Sequence, residues 1–332
     1  MTGSFPRSSR IGWVQIAGPH SGGHRYGESV RRAVNGPLDV TLEDIRSHAG
    51  PLRPIVMQAR LAALRKRGGY DVLILDNAAA LALPLPRKPK HIVLIHHIDW
   101  GSIASRWERA LFSALEPLCL RHLRNADQVV TVCKFWEDRV RAAGNPRVRT
   151  IYNAFDEADF QVRDEEVAAL RARHGLTKPI VYIGNCQEAK GAGRSYDALR
   201  DLDVHLVTSG RRLLDIPARH LDLGYRDYLT LLRASSVVVT MSLFDEGWCR
   251  TAHEAMLLRR PVVGSGRGGM TELLEGGKQV ICPRFDDLRD QVGRILSDAA
   301  LAARMGDDGY QFARTFTTER FRDDWLQLLS GV

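Results

Sequence analysis

Two carboxylates eight positions apart, Glu246 and Glu254, stand within SLFDEGWCRTAHEAMLLRRPVVGSGRGGMTELLEGG, residues 242–277. Eight positions of helix are a little over two turns, a spacing that sets both acids on one face. Glu246 falls at a loop tip before Gly247. His253 to Arg260 then has the look of a short helix, stopped by Pro261 and the apolar run Pro261-Val262-Val263-Gly264. A strand end, a Gly-containing turn and a helix N-terminus in that order bring backbone N–H groups and the positive end of a helix dipole to one place. The chemistry this suits is the holding of a phosphorylated ligand.

Two further sets lie in the first half. The apolar run His91–Ile95 ends in His96-His97-Ile98-Asp99. In an open α/β sheet, ligands gather at the carboxyl ends of strands, so His96, with His97 as its rival, stands above the ordinary alternative of a structurally satisfied histidine. Gly22-Gly23 follow the first strand, where the lack of a Cβ lets backbone approach a ligand; a plain tight turn is the bland alternative.

The elements that must position these residues alternate. Ile11–Ala17, Asp39–Ile45, Tyr70–Leu75, His91–Ile95 and Gln128–Val132 are strands of the first half, the later ones continuous apolar runs of the kind that parallel sheets cover on both faces. Glu28–Val34, Ile55–Arg67 and Ala104–Leu123 are helices between them. In Ala104–Leu123 the stripe Trp107, Leu111, Phe112, Leu115, Leu118 and Cys119 is expected in the core, with Arg106, Arg109, Arg121 and Arg124 around it. The second half opens on the strand Pro179–Gly184 and continues through Val204–Val207, the strand segment Leu221–Tyr225, the helix Tyr228–Leu232 after it, and Val237–Met241. Asp286–Leu329 carries two or three helices. The expected architecture is α/β, two Rossmann-like domains facing across a cleft, with boundaries at 1–160, 161–312 and a C-terminal helix, 313–332, packing back on the first domain.

The 332 residues suffice for two domains, and 44% hydrophobic with 26% charged residues describes a folded chain rather than a disordered one. No run approaches the roughly 18 apolar residues of a membrane span. No apolar segment of signal-peptide length follows the first ten residues, so a cytoplasmic location is expected. Five scattered cysteines without a Cys-x-x-Cys pair argue for packed thiols, not a disulfide framework or zinc site. The net charge of +8 is uneven. Residues 1–150 hold 23 Lys and Arg against 12 Asp and Glu, the remainder 24 against 27. A basic first half suits an anionic partner, such as a phospholipid surface at the inner membrane face, a phosphorylated acceptor or nucleic acid; a solvated basic face is the alternative. No recognised nucleic-acid motif is present, so no nucleic-acid partner is expected.

The ordered set Glu246/Glu254, Pro261-Val262-Val263 and Gly268-Gly269-Met270-Thr271-Glu272 resembles the donor-site signature of the retaining GT-B glycosyltransferases of family 4, glycosyl transferases group 1. The resemblance implies transfer of a sugar from a nucleotide-diphosphate sugar to a hydroxyl acceptor, anionic or lipid-linked acceptors included, without a cofactor or metal. It implies that Glu254 accepts hydrogen bonds from ribose hydroxyls, that Glu246 lies close to the sugar hydroxyls, and that Lys190 offsets the charge growing on the departing diphosphate. His96 would lie near sugar and acceptor. Gly22-Gly23, Gly184-Asn185, Lys190-Gly191 and Gly247-Trp248-Cys249-Arg250 would line the donor. Thr150–Asp156 with Phe160 resembles the turn that closes the family's first domain, Ala154 replacing a Gly.

The chain departs from the family pattern in the donor turns. Asn185 stands where an Arg is expected, leaving part of its role to a hydrogen bond from Asn185 itself or to an arginine such as Arg194 or Arg250. Cys249 replaces a Gly, which points to an unusual sugar or a related reaction. Asp201-Leu202-Asp203 precedes a strand instead of following one and is taken as a surface turn, not a metal-holding pair. A GT-B-shaped nucleotide-sugar epimerase or phosphorylase and a basic nucleic-acid-binding protein are the alternatives.

Overall fold

The strands pair in parallel, as continuous apolar runs separated by helices dictate. The computed structural model describes residues 10–15, 22–34, 39–44, 53–76, 88–102 and 106–332. The expectations for Gly18–Ser21, Ile45 and Ala104 lie outside the described residues. The chain divides into two compact units. One comprises residues 1–98, 110–154 and 318–332; the other comprises 99–109 and 155–317. The passage between them at Ala154–Phe155 precedes the charged segment that starts at Glu157.

The first unit holds a six-stranded parallel sheet of β1 (Arg10–Gln15), β2 (Asp39–Asp44), β3 (Val72–Asp76), β4 (Lys90–Ile95), β5 (Gln128–Thr131) and β6 (Val148–Thr150), in the order β2-β1-β3-β4-β5-β6. The central strands are buried on both faces. The C-terminal helix Thr318–Ser330 belongs to this unit and buries Phe321, Trp325, Leu328 and Leu329. Trp325 packs on Trp13 and on Tyr26 of the helix Gly22–Val34, and its indole N–H donates to the Tyr26 hydroxyl at 3.3 Å.

Two expectations are corrected here. The first helix starts at Gly22, so Gly22 and Gly23 form its first turn and not a loop ahead of Glu28. In the helix Arg106–Leu123, Cys119 is buried, but Trp107, Leu111 and Leu118 are exposed by 51%, 40% and 38%. Helical periodicity shows that a helix has an apolar face, not what covers it.

The second unit holds β7 (Ile180–Asn185), β8 (His205–Ser209), β9 (Arg219–Leu221), β10 (Val237–Thr240), β11 (Val262–Gly264) and β12 (Val280–Ile281) in the order β12-β11-β10-β7-β8-β9, all parallel. Strand order reverses beside β7, whose neighbours are β8 and β10. Ligands of such sheets bind outside the strand ends at that switch point. Its core joins Val181, Ile183, Val237, Val239 and Val263 to Leu288, Val292 and Ile295 of the helix Leu288–Ser297. All five cysteines are buried thiols outside any disulfide. Among the described residues no helix is long and apolar enough to cross a membrane.

Candidate active site

The loops leaving β7 and β10 flank the switch point, and each supplies one charge. After β7 the chain forms the single turn Glu188–Lys190 and reaches Gly191 at φ 69°, where the helix Ala192–Leu199 starts. A Cβ at Gly191 would stand 2.2 Å from the Met241 carbonyl oxygen, so only glycine lets the two loops approach this closely. The Leu243 N–H donates to the Ala189 carbonyl at 2.9 Å and ties them together. Lys190 Nζ then lies 2.5 Å from Glu246 Oε1, and the Ser242 hydroxyl donates to the same oxygen. The Lys190 ammonium also lies over the Phe244 ring at 4.8 Å.

Electrostatics preserves this pair. Burial alone would lower the Lys190 pKa; the adjoining Glu246 carboxylate more than offsets it and holds the ammonium above the usual lysine value. Glu246 is 5% exposed, whereas the Lys190 side chain keeps 31% of its surface open. The cation is therefore the member of the pair that a ligand can reach. Burial, reinforced by Glu246, pushes the Cys249 thiol up to about 12, so it is a neutral group beside the pair.

The backbone of Glu246 is clamped by the Gly-Gly turn. Gly268 sits at φ 63°, and a Cβ there would fall 2.4 Å from Glu246 O. Glu246 forms an isolated parallel bridge with Gly268, and the Gly269 N–H donates to Glu246 O at 2.9 Å. The turn thus fixes the acid, a role that its distance along the chain did not suggest.

Glu246 and Glu254 do not share a helical face. The helix is Arg250–Leu257, not His253–Arg260, so Glu246 lies on the preceding loop. It ends early because Arg259 takes φ 55° and β11 follows at once. Glu254 is 3% exposed and accepts from three side chains. Tyr225 donates to Oε1 at 3.1 Å, Tyr228 to Oε2 at 3.0 Å, and Arg250 approaches Oε1 at 3.4 Å. Both tyrosines come from the first turn of the helix Tyr225–Ala234 and stack at 6.1 Å. Sequence reasoning missed them. A Tyr-x-x-Tyr pair at one helix start was the available signal, but nothing in it names the partner acid.

The remaining expected residues divide. Gly184 and Asn185 end β7, Gly184 at φ 84°, and the Asn185 side-chain Oδ1 accepts from the Tyr182 hydroxyl at 3.2 Å. Gly247 follows Glu246 on the same loop, and Cys249 caps the helix Arg250–Leu257. Trp248 turns inward, 6% exposed, donating its indole N–H to His253 Nδ1 at 3.0 Å and packing on Phe316. Its side chain is part of the core. Of the two arginines considered as replacements for the expected cation at 185, Arg194 stacks on Phe285 at 4.1 Å, while Arg250 stacks on Phe155 at 4.4 Å and reaches Glu254. Gly22, Gly23 and His96 belong to the first unit, where His96 follows β4 and meets Tyr26 edge-on at 5.3 Å. Asp201 and Asp203 diverge into separate surface ion pairs with Arg289 and Lys178.

A buried acid gripped by hydroxyls, a fixed ammonium and a helix start around a sheet switch point suit a phosphorylated, hydroxyl-bearing ligand. The profile of glycosyltransferase family 4 matches residues 14–159, and that of the glycosyl transferases group 1 matches residues 177–298. The chain belongs to glycosyltransferase family 4. This family 4 glycosyltransferase is 26% identical over 316 residues to an N-acetyl-alpha-D-glucosaminyl L-malate synthase of Bacillus anthracis, covering 86% of this chain and 80% of that protein. It is 22% identical over 218 residues to an uncharacterized glycosyltransferase of Methanocaldococcus jannaschii, covering 59% of this chain and 57% of that protein. Among solved structures, Anabaena HepE in complex with UDP-glucose superposes with a TM-score of 0.78 at 17% identity, covering 98% of this chain and all of that one. Sucrose-phosphate synthase from Thermosynechococcus elongatus superposes with a TM-score of 0.77 at 18% identity, covering 97% and 98%. The family 4 fold is thus shared at full length, with GT-B architecture.

Proposed function

We propose that this glycosyltransferase moves a sugar from a nucleotide-diphosphate sugar to a hydroxyl acceptor with retention at the anomeric carbon. The observation that carries the reading is the Lys190–Glu246 pair at the switch point of the second sheet, with Glu254 held on the helix Arg250–Leu257 that follows the same loop. A structural neighbour solved in complex with UDP-glucose and a relative named as an N-acetyl-alpha-D-glucosaminyl L-malate synthase support a nucleotide-sugar donor.

In this reading Glu254 accepts hydrogen bonds from the ribose hydroxyls, exchanging part of its hold on Tyr225 and Arg250. Glu246 receives a sugar hydroxyl, and Lys190 turns its open side to the diphosphate. The bond from the anomeric carbon to the diphosphate oxygen breaks. The acceptor oxygen bonds the same carbon on the same face, and the acceptor proton leaves with the diphosphate. Charge that grows on the leaving group is met by an ammonium already in place, which costs no reorganisation during the step. No metal is required, since Lys190 supplies the cation. Gly22, Gly23 and His96 are assigned to the sugar and acceptor side, and an anionic or lipid-linked acceptor suits the basic first half.

A thermal-shift screen against UDP-, GDP-, ADP- and TDP-linked sugars identifies the donor, because a ligand of the folded state raises its stability. Assay with that donor then tests the reaction. Nucleoside diphosphate released only when an acceptor hydroxyl is supplied, with an anomeric configuration in the product that matches the donor, is the expected result. Release or isomerisation without acceptor indicates an epimerase-like or phosphorylase-like reaction and overturns it.

A further inference from the structure

The last turn of the helix Arg106–Leu123 and the residues after it line a pocket of about 370 Å³ formed by Leu118, Arg121, His122, Arg124 and Asn125. It lies wholly in the first unit. His122 is nine-tenths buried, and its Nδ1 has no hydrogen-bond partner among the described residues. Arg124, which lines the pocket with Arg121, gives Nε and Nη2 to the Ala143 carbonyl, and Arg147 gives Nη2 to the Arg124 backbone carbonyl, which brings a third guanidinium to Arg124. Among the described residues none of these three arginines pairs with a carboxylate. The contrast with their neighbours is sharp: Arg139 pairs with Glu116, while Lys134 and Arg141 both pair with Glu137. The helix C-terminus contributes roughly half a negative charge, far less than three guanidinium groups.

Beside this unneutralised cluster runs the uncovered apolar stripe. Trp107, Leu111 and Leu118 recur at i, i+4 and i+11, within about 40° of one another around the helix. Ala114 is exposed on the same stripe. Arginines flanking exposed apolar side chains complement a surface that offers phosphates at one depth and hydrocarbon just below.

We propose that this helix face docks on an anionic phospholipid surface, with a lipid phosphate seated among Arg121, His122 and Arg124 and the side chains of Leu111 and Leu118 inserted beside it. The arrangement favours a bilayer over nucleic acid, whose phosphates would leave the stripe uncovered. The docking is independent of the transfer reaction, because it involves no residue of the candidate active site and is read without donor or acceptor.

The test is sedimentation of the full chain with vesicles of phosphatidylcholine alone or mixed with phosphatidylglycerol. The wild type is expected to sediment with the mixed vesicles only, less so as salt rises. Arg121→Gln combined with Arg124→Gln should lower the partition coefficient about thirtyfold, from the usual contribution of a basic residue near an anionic surface. Because Arg124 also holds Ala143, Arg121→Gln alone and Leu118→Ser serve as variants that leave that contact intact, and each should weaken binding at least severalfold. Arg294→Gln with Arg304→Gln, exposed arginines of the second unit, removes equal charge and should bind as the wild type. Equal binding by the Arg121 variants and the wild type, no sedimentation with either vesicle, or displacement by duplex DNA at matched ionic strength would overturn the proposal.

Discussion

Lys190 Nζ lies 2.5 Å from Glu246 Oε1 across 56 residues of chain, joining the loops that leave β7 and β10. The carboxylate is the buried partner and the ammonium the open one. In the proposed reaction the cation trades part of its contact for the donor diphosphate while the acid stays fixed.

Lys190→Ala removes the cation and leaves Glu246 buried without it. Turnover should fall more than tenfold, the ordinary loss for a missing group that stabilises transition-state charge. Glu254→Ala should instead weaken nucleotide binding. Steady-state kinetics and calorimetric titration of nucleoside diphosphate distinguish the two, and unchanged values in both variants contradict the site.

Tyr228→Phe deletes the donor to Glu254 Oε2 but keeps the ring that packs edge-on against Tyr182. A hydrogen bond to a charged group is worth about 1.5–3 kcal/mol, part of which water or Thr251 can replace. Nucleotide affinity should drop about tenfold with kcat within about twofold. A fall confined to kcat would show that the tyrosine does more than orient the acid.

Gly268→Ala places a Cβ against the Glu246 backbone at φ 63°. Strain of that kind costs about 1–3 kcal/mol, and relief must displace Glu246. Thermal stability and turnover should fall together. Gly293→Ala, on an open helix position with no neighbouring atom within 4 Å, should do neither.

His253 is buried between Trp248, Phe155 and Phe316, accepting at Nδ1 and donating from Nε2 to the Ala313 carbonyl at 3.1 Å. Burial pushes its pKa down to about 3, against the pull of Ala313. A depressed pKa means that the neutral ring stabilises fully above the unfolded value near 6.5 and loses that contribution as pH falls toward 3. By pH 4.5 the loss should reach on the order of 2–3 kcal/mol. Melting temperatures of the wild type and His253→Gln over pH 7 to 4 should converge, the wild type falling more steeply; parallel curves would contradict this assignment.

Much of the site was legible locally. Pro261 and the valines after it mark β11, Gly191 marks the sharp entry to a helix, and Glu254 falls on the helix that the pattern requires. Apolar runs identify strands because a covered parallel sheet has no polar face to alternate with. The one-face argument for Glu246 failed because helical spacing does not apply to an acid at the loop tip before Gly247, outside the helix Arg250–Leu257. Trp248 followed the acid in sequence, yet its ring faces the core, a choice made by His253 and Phe316 and invisible in a string of neighbours.

By itself the sequence determined the longer apolar strands, where the turns break them and that an acid-bearing helix follows β10, because those depend on side-chain periodicity and backbone freedom within a few residues. The short strands β6 and β12 hold too few residues for a pattern, and the run Leu221–Tyr225 gives only Leu221 to β9 before the helix Tyr225–Ala234 begins. Only the tertiary structure decided that strand order reverses beside β7, that Lys190 meets Glu246, that two tyrosines hold Glu254, and that Trp107, Leu111 and Leu118 stay uncovered. Each of these is a pairing between distant segments, and its energy comes from burial and hydrogen bonding that exist only once the sheets have assembled.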